Sequence, residues 1–235
     1  MPPTENRDIT GFGRGSALLR RHQEDRARPQ EFTLLGRDWY LLDGVFSPTY
    51  TPVTELFSSW LPYPVDGSFL EVGSGAGVTA VTAALSGCRR VTALDIAEAA
   101  VENTRRNIER HHVGDRARAL HSDLFSALDP EDRYDVVFWN SNFAEAPEDF
   151  VNETDLHHAF FDPGYEAHRR YVEEAPDRLT PNGRLFLGFC SIGNTSLLTG
   201  LCDRAGLTVE VVRSERRSPD PDTTLDFRLL ELRRS

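Results

Sequence analysis

Three stretches of this sequence carry residue types that could do chemistry. Glu71-Val72-Gly73-Ser74-Gly75-Ala76-Gly77 follows a short apolar run and opens a helical one. Glycines so spaced permit a tight strand-to-helix turn and let backbone approach a ligand closely. Asp95 closes the next apolar run, 18 residues beyond Gly77, with Ile96 after it. An acid at that place can accept both hydroxyls of a ribose. The third stretch, Phe138-Trp139-Asn140-Ser141-Asn142-Phe143, ends another apolar strand in amides and a hydroxyl.

Composition narrows the chemistry. All 26 basic residues are arginine, so lysine Schiff bases, pyridoxal anchoring and the P-loop lysine are excluded. Against 37 acids the net charge is −11, and such a surface repels nucleic-acid phosphates and anionic membranes. A small-molecule substrate is expected, with nucleic acid and membrane disfavoured. Cys88, Cys190 and Cys202 are too few and scattered for a disulfide framework. No His/Cys/Asp cluster has ligand spacing, so no metal is expected. The N-terminus lacks an apolar signal region and no run approaches a membrane span, which predicts a cytoplasmic protein. Oligomeric state is left open.

The glycine spacing is G-x-G-x-G, not the G-x-G-x-x-G of a dinucleotide site. Glu71 would repel a pyrophosphate, whereas beside an ammonium or sulfonium it is favourable. That points to S-adenosylmethionine as cofactor. Over about residues 66–233 the chain resembles the class I methyltransferases. The resemblance implies that Glu71, Gly73, Ser74, Gly75 and Gly77 hold the methionine part, and Asp95 and Ile96 the ribose end. Ser122-Asp123-Leu124-Phe125 ends the third strand. In similar enzymes an Asp here accepts from the adenine amino group, while the next apolar residue, here Leu124, packs on the ring.

Asn140-Ser141-Asn142-Phe143 is similar to the N-P-P-Y/F motif of amino- and amide-N-methyltransferases, with Ser141 and Asn142 in place of both prolines. The resemblance implies that Asn140 and a following backbone carbonyl accept hydrogen bonds from the target nitrogen, with Phe143 packing on the target. Without prolines the loop is expected to be less rigid. Residues 44–55, with Pro48, Tyr50 and Thr54-Glu55, resemble the protein-glutamine N5-methyltransferases. Thr49 stands where that family has an arginine, and no sizeable N-terminal helical domain precedes it. Both departures weigh against the same substrate.

After Phe143 comes an acidic loop with Glu145, Glu148, Asp149, Glu153, Asp155 and Asp162. Such a loop could receive a cation, and His157 or His158 could take a proton. Tyr50, Glu145, Glu148, His157 and His158 are therefore expected on the substrate side. The reading is an N-methyltransferase acting on a small amino-, amide- or guanidino-bearing molecule. A protein glutamine or an RNA base is the alternative target, and a dinucleotide-dependent oxidoreductase the second alternative.

Positioning these residues requires a scaffold that the hydrophobic rhythm supplies. From Ser68, strands and helices alternate, which predicts an α/β fold with a doubly wound, mostly parallel seven-stranded sheet. The last two strands, joined without a helix, should be antiparallel. Residues 63–235 are read as the cofactor-binding domain and 1–62 as an accessory cap. Within the cap, residues 1–15 are expected to be poorly ordered and a helix to start near Ser16. A hairpin follows, turning at Gly36-Arg37-Asp38, and then a second helix capped by Thr51 or Thr54.

Overall fold

A computed structural model describes residues 5–25, 27–220 and 223–235. The chain begins with α1 (Glu5–Glu24), the hairpin β1 (Glu31–Leu34) and β2 (Arg37–Tyr40), and α2 (Val53–Trp60). Then follow β3 (Ser68–Val72), α3 (Val78–Leu85), β4 (Arg90–Asp95), α4 (Glu98–Arg110), β5 (Ala117–His121) and β6 (Tyr134–Asn140). Two short strands, β7 (Ala144–Ala146) and β8 (Phe161–Pro163), flank a 3-10 turn at Asp155–Ala159. The chain closes with α5 (Glu166–Glu174), β9 (Leu179–Cys190), α6 (Thr195–Arg204), β10 (Leu207–Asp220) and β11 (Thr223–Arg234).

Seven strands form one sheet in the order β10-β11-β9-β6-β3-β4-β5. β3, β4, β5, β6 and β9 run parallel, while β11 is antiparallel to both β9 and β10. The apolar runs are continuous because helices cover both faces. Successive side chains split between two cores: Phe69 and Phe138 go with α2, α3 and α4, whereas Leu70 and Trp139 go with α5 and α6. The winding reverses between β3 and β6, which places a crevice at their carboxyl ends. All three chemistry-bearing stretches end there.

The amino-terminal elements differ from expectation in instructive ways. Helix α1 runs through Gly11, Gly13 and Gly15 rather than starting at Ser16. Glycine is a poor helix former, but here its missing side chain permits contact. A Cβ on Gly15 would lie 2.8 Å from the Phe161 ring, and one on Gly11 2.5 Å from the Ile192 carbonyl. The hairpin turns at Leu35-Gly36, both at positive φ, with Arg37 and Asp38 already in β2. Neither Thr51 nor Thr54 caps α2, whose N-cap is Pro52 without a side-chain bond. The hairpin and α2 share the core of the main sheet through Phe32, Trp39, Val53 and Phe57.

Asn103 and Asn107 of α4, both fully buried, tie these elements to the glycine loop. Asn107 accepts the Tyr40 N–H at 2.8 Å and donates to the carbonyls of Tyr40 and Ala76, at 3.0 and 2.8 Å. Asn103 accepts the Leu42 N–H and donates to the same Tyr40 carbonyl. The hairpin edge and the loop are thus registered against one helix. Among the described residues no helix is long and apolar enough to cross a membrane.

Candidate functional site

A cavity of about 1010 Å³ opens at the carboxyl ends of β3, β4 and β6. Its floor is the glycine loop. Gly73, Gly75 and Gly77 all have positive φ, at 65°, 53° and 78°. At Gly77 a side chain would meet Thr104 at 2.9 Å, so helix packing demands glycine there. At Gly75 nothing lies within 4 Å of a would-be Cβ, so the backbone is bare on that side. Ser74 is buried; its N–H donates to the Leu94 carbonyl and its hydroxyl meets Thr104 at 3.0 Å.

Glu71, next to last in β3, is buried beneath this loop, accepting the Ala80 N–H at 2.9 Å. Burial pushes its carboxyl up to about 8, and nearby Asp95 adds to the rise. Asp95 ends β4. Its Oδ2 accepts the Gly75 N–H at 2.8 Å and its Oδ1 the Ala97 N–H at 2.9 Å. Burial raises Asp95 too, although these two bonds oppose the rise. Each carboxylate oxygen keeps lone-pair capacity beyond its one backbone partner. Ile96 follows at the cavity wall, exposed, and its carbonyl accepts from His121 Nε2 at 2.8 Å. Asp123 and Leu124 line the same cavity, Leu124 buried at a φ of 47°. The Asp123 carboxylate is held by Arg170 of α5.

β6 delivers the third stretch. Asn140, Ser141, Asn142 and Phe143 all line the cavity. The loop is pinned despite having no proline, contrary to the expected slackness. Ser141 Oγ donates to the Gly188 carbonyl at 2.9 Å. Asn142 Nδ2 donates to the carbonyls of His158 and Phe161, at 3.1 and 2.8 Å. The Tyr165 hydroxyl donates to the Phe143 carbonyl at 2.6 Å and accepts the Asn194 N–H at 2.9 Å. Side-chain bonds to backbone here do what proline rings would do by covalent restraint. The Oδ1 atoms of Asn140 and Asn142 are buried without a hydrogen-bond partner, a costly state unless a ligand donor meets them.

The substrate-side residues divide. Tyr50 and His158 line the cavity. Tyr50 donates to Asp25, and the Arg21 guanidinium lies 4.2 Å over its ring. Burial keeps the His158 imidazole below its ordinary pKa, hence neutral near pH 7. Glu145, Glu148 and His157 are not among the lining residues. Glu145 accepts from Asn194 at 2.8 Å, Glu148 is exposed beside Gly164, and His157 Nδ1 bonds Thr154 in a capping box. Asp162 is engaged inward as well, accepting the N–H groups of Ala167 and His168 and the His168 ring. The loop's acids are thus partly structural, and Arg14, Arg21, Arg170 and Arg217 share the cavity wall with those that remain. Among the described residues no group of His, Cys, Asp and Glu could hold a metal ion.

The residues present fit S-adenosylmethionine: a bare glycine turn, a buried acid for a cation, and a two-oxygen acceptor for vicinal hydroxyls. Fold and cradle together have the form of the class I S-adenosylmethionine-dependent methyltransferases. The model of the methyltransferase small domain family matches residues 39–191, and the chain belongs to that family. It is 32% identical over 179 residues to the release factor glutamine methyltransferase of Bordetella pertussis, covering 68% of this chain and 63% of that one. It is 31% identical over 131 residues to the ribosomal protein uL3 glutamine methyltransferase of Bradyrhizobium diazoefficiens, covering 53% and 40%. The chain therefore spans less than two thirds of the length of these relatives. A 16S rRNA N2 methyltransferase from T. thermophilus, solved with AdoMet and guanosine, superposes with a TM-score of 0.60 at 21% identity, covering 88% and 50%. These comparisons overturn the expectation of a small-molecule partner with nucleic acid set aside. The names of these proteins place their targets in release factors, a ribosomal protein and rRNA, all macromolecules.

Proposed function

We propose that the chain transfers the methyl group of S-adenosylmethionine to the side-chain amide nitrogen of a glutamine in a protein. One observation carries this reading: the Asn140 Oδ1, at the cavity end of β6, is a buried acceptor without a partner. A primary amide brings the donor that this atom lacks. The names of two relatives, both glutamine methyltransferases, support the same target class.

In this reading Glu71 faces the cofactor's ammonium, and Gly73, Ser74, Gly75 and Gly77 shape the turn against its methionine part. Asp95 accepts the ribose hydroxyls; Ile96, Asp123 and Leu124 form the nucleobase end. The cofactor supplies an electrophilic methyl on a sulfonium. Asn140 accepts one N–H of the glutamine amide, which fixes the nitrogen's orientation; alignment of this kind can supply much of a rate enhancement. Phe143 packs on the amide. As the nitrogen gains its methyl it loses one proton; His158 on the cavity wall can take it at Nδ1 by giving up that nitrogen's 3.1 Å contact with Asn152 Nδ2.

The test is methyl transfer from tritiated cofactor into fractionated protein and RNA of a cell extract, with tandem mass spectrometry of the labelled fraction. Label on a glutamine side chain is expected. Label confined to RNA, or to another residue type, overturns the reading.

A further inference from the structure

Helix α1 builds one wall of the cavity. Arg14, Leu18 and Arg21, spaced so that they share one helix face, line it. The helix packs through Leu19 on Ala144 and Ala146 of β7, directly after the Asn140–Phe143 loop. None of the residues fitted to the cofactor belongs to α1, and the family match at residues 39–191 does not include it.

His22 lies on the buried side of α1, and its partners fix its tautomer. The Ser47 N–H donates to Nε2 at 2.9 Å, so Nδ1 carries the hydrogen and donates to the Leu18 carbonyl at 2.9 Å. Burial pushes the imidazole down to about 4, which keeps it neutral. Around the ring stand Phe46, Tyr50 and Phe160, with centroids 5.1, 4.5 and 5.1 Å away. Ser47 opens a turn that the Tyr50 N–H closes on the Ser47 carbonyl, and Pro48 and Tyr50 of this turn line the cavity. Phe160 follows the 3-10 turn that carries His158. One side chain thus joins α1 to two further segments of the cavity wall.

Building on the proposed glutamine reaction, we propose that His22 is a positioning residue for the protein substrate. Through Ser47 and the rings of Tyr50 and Phe160, it fixes the wall along which the chain bearing the glutamine enters. It touches neither the cofactor cradle nor Asn140. Its effect falls on the protein chain around the glutamine, and so on KM rather than on kcat.

Two substitutions separate this role from packing. His22→Gln sets an amide oxygen where Nε2 stands and keeps an acceptor for the Ser47 N–H. His22→Asn is shorter; it keeps a donor for the Leu18 carbonyl and leaves the buried Ser47 N–H without a partner. Both lose the aromatic contacts, so both should lower Tm. The measurements are KM and kcat with the protein fraction that wild-type enzyme labels from a cell extract, and S-adenosylmethionine affinity by calorimetry. His22→Asn should raise KM by about tenfold while kcat and cofactor affinity hold. His22→Gln should keep KM near the wild-type value. An unchanged KM in His22→Asn, or an equal rise in both variants, overturns the positioning role and leaves His22 to packing. A fall in kcat at constant KM overturns it as well. Wild-type enzyme that labels no glutamine overturns the glutamine reading, and this inference with it.

Discussion

Arg170 sets one guanidinium nitrogen against both carboxylate oxygens of Asp123, at 3.0 and 2.8 Å. The residue assigned to the nucleobase end is therefore already engaged by a side chain from α5. The Asp123 side chain is 53% exposed and Arg170 28%, and exposed pairs of this kind are worth about 0–1 kcal/mol. An adenine amino group arriving at Asp123 thus displaces or shares a weak contact. Arg170→Ala should tighten S-adenosylmethionine by at most about fivefold at low salt, with the gain shrinking as salt rises. Calorimetric titration checks this. A tenfold loss of affinity would mean that Arg170 grips the cofactor directly.

The pH dependence of cofactor binding should be set by Glu71. Burial holds its carboxyl at about 8, so the acid carries its proton at pH 7 before a cation arrives. Pairing with an ammonium requires the ionised form. Affinity should accordingly rise with pH towards 8, by about tenfold per unit well below that value, with a proton released on binding. Calorimetry in buffers of different ionisation enthalpy counts that proton, and Glu71→Gln should abolish both effects. The sign for folding is opposite. The folded protein holds a proton that the unfolded chain loses above about 4.5, so this group costs stability as pH rises from there through 8.

Asp95→Ala should weaken S-adenosylmethionine by about 100-fold, since hydrogen bonds to a carboxylate contribute about 1.5–3 kcal/mol each. Equilibrium dialysis suffices to measure it. Unchanged binding would remove the ribose assignment.

The parts of the site legible in the sequence are those written in local chain rules. A glycine turn after an apolar strand, an acid ending the next strand and an asparagine ending the fourth need only the α/β alternation to be brought together. What was not legible depends on partners remote in sequence. Asn103 and Asn107 bind Tyr40 and Ala76, some 27 to 67 residues away; two asparagines one turn apart on a buried helix face were the available signal. Helix α1 passes through three glycines although propensity alone favours no helix there; the Ile192 carbonyl sits against Gly11 and the Phe161 ring against Gly15, while the space beside Gly13 is open. Asp162 stands in the sequence among the loop acids that could receive a cation, yet it binds the first turn of α5 and His168. Net charge could not reveal the substrate class, because charge on the whole surface says little about which carboxylates are consumed internally.

Two glycines of one loop should respond differently to the same substitution. Gly77→Ala combines a left-handed φ with a methyl 2.9 Å from Thr104, for about 2–4 kcal/mol of lost stability. That corresponds to a drop in Tm of about 5–15 °C. Gly75→Ala carries the backbone strain alone, about 1–2 kcal/mol, because the space around it is open. Its methyl would instead occupy room proposed for the cofactor. Thermal melts with and without S-adenosylmethionine separate the two: Gly75→Ala should lose most of the cofactor-induced rise in Tm, and Gly77→Ala should keep it.

Tyr165 links the substrate loop to α6. Its fully buried hydroxyl donates to the Phe143 carbonyl and accepts the Asn194 N–H. Its own φ of 54° is strained for a bulky residue, and strain of this kind persists where surrounding structure demands it. Tyr165→Phe keeps the ring stacked on His168 at 4.2 Å and removes only the oxygen. Two backbone groups of the half-buried Phe143 and Asn194 then lose their partner, and stability should fall by about 1–3 kcal/mol. The Asn140–Phe143 loop should move by a fraction of an ångström, and misplacement on that scale lowers turnover on the order of tenfold or more. Steady-state kinetics and cofactor titration on the same variant test this. Turnover should drop while S-adenosylmethionine affinity holds, because Tyr165 touches the loop from β6 and not the glycine turn. An equal loss in both would show that the hydroxyl supports the whole crevice rather than the substrate end.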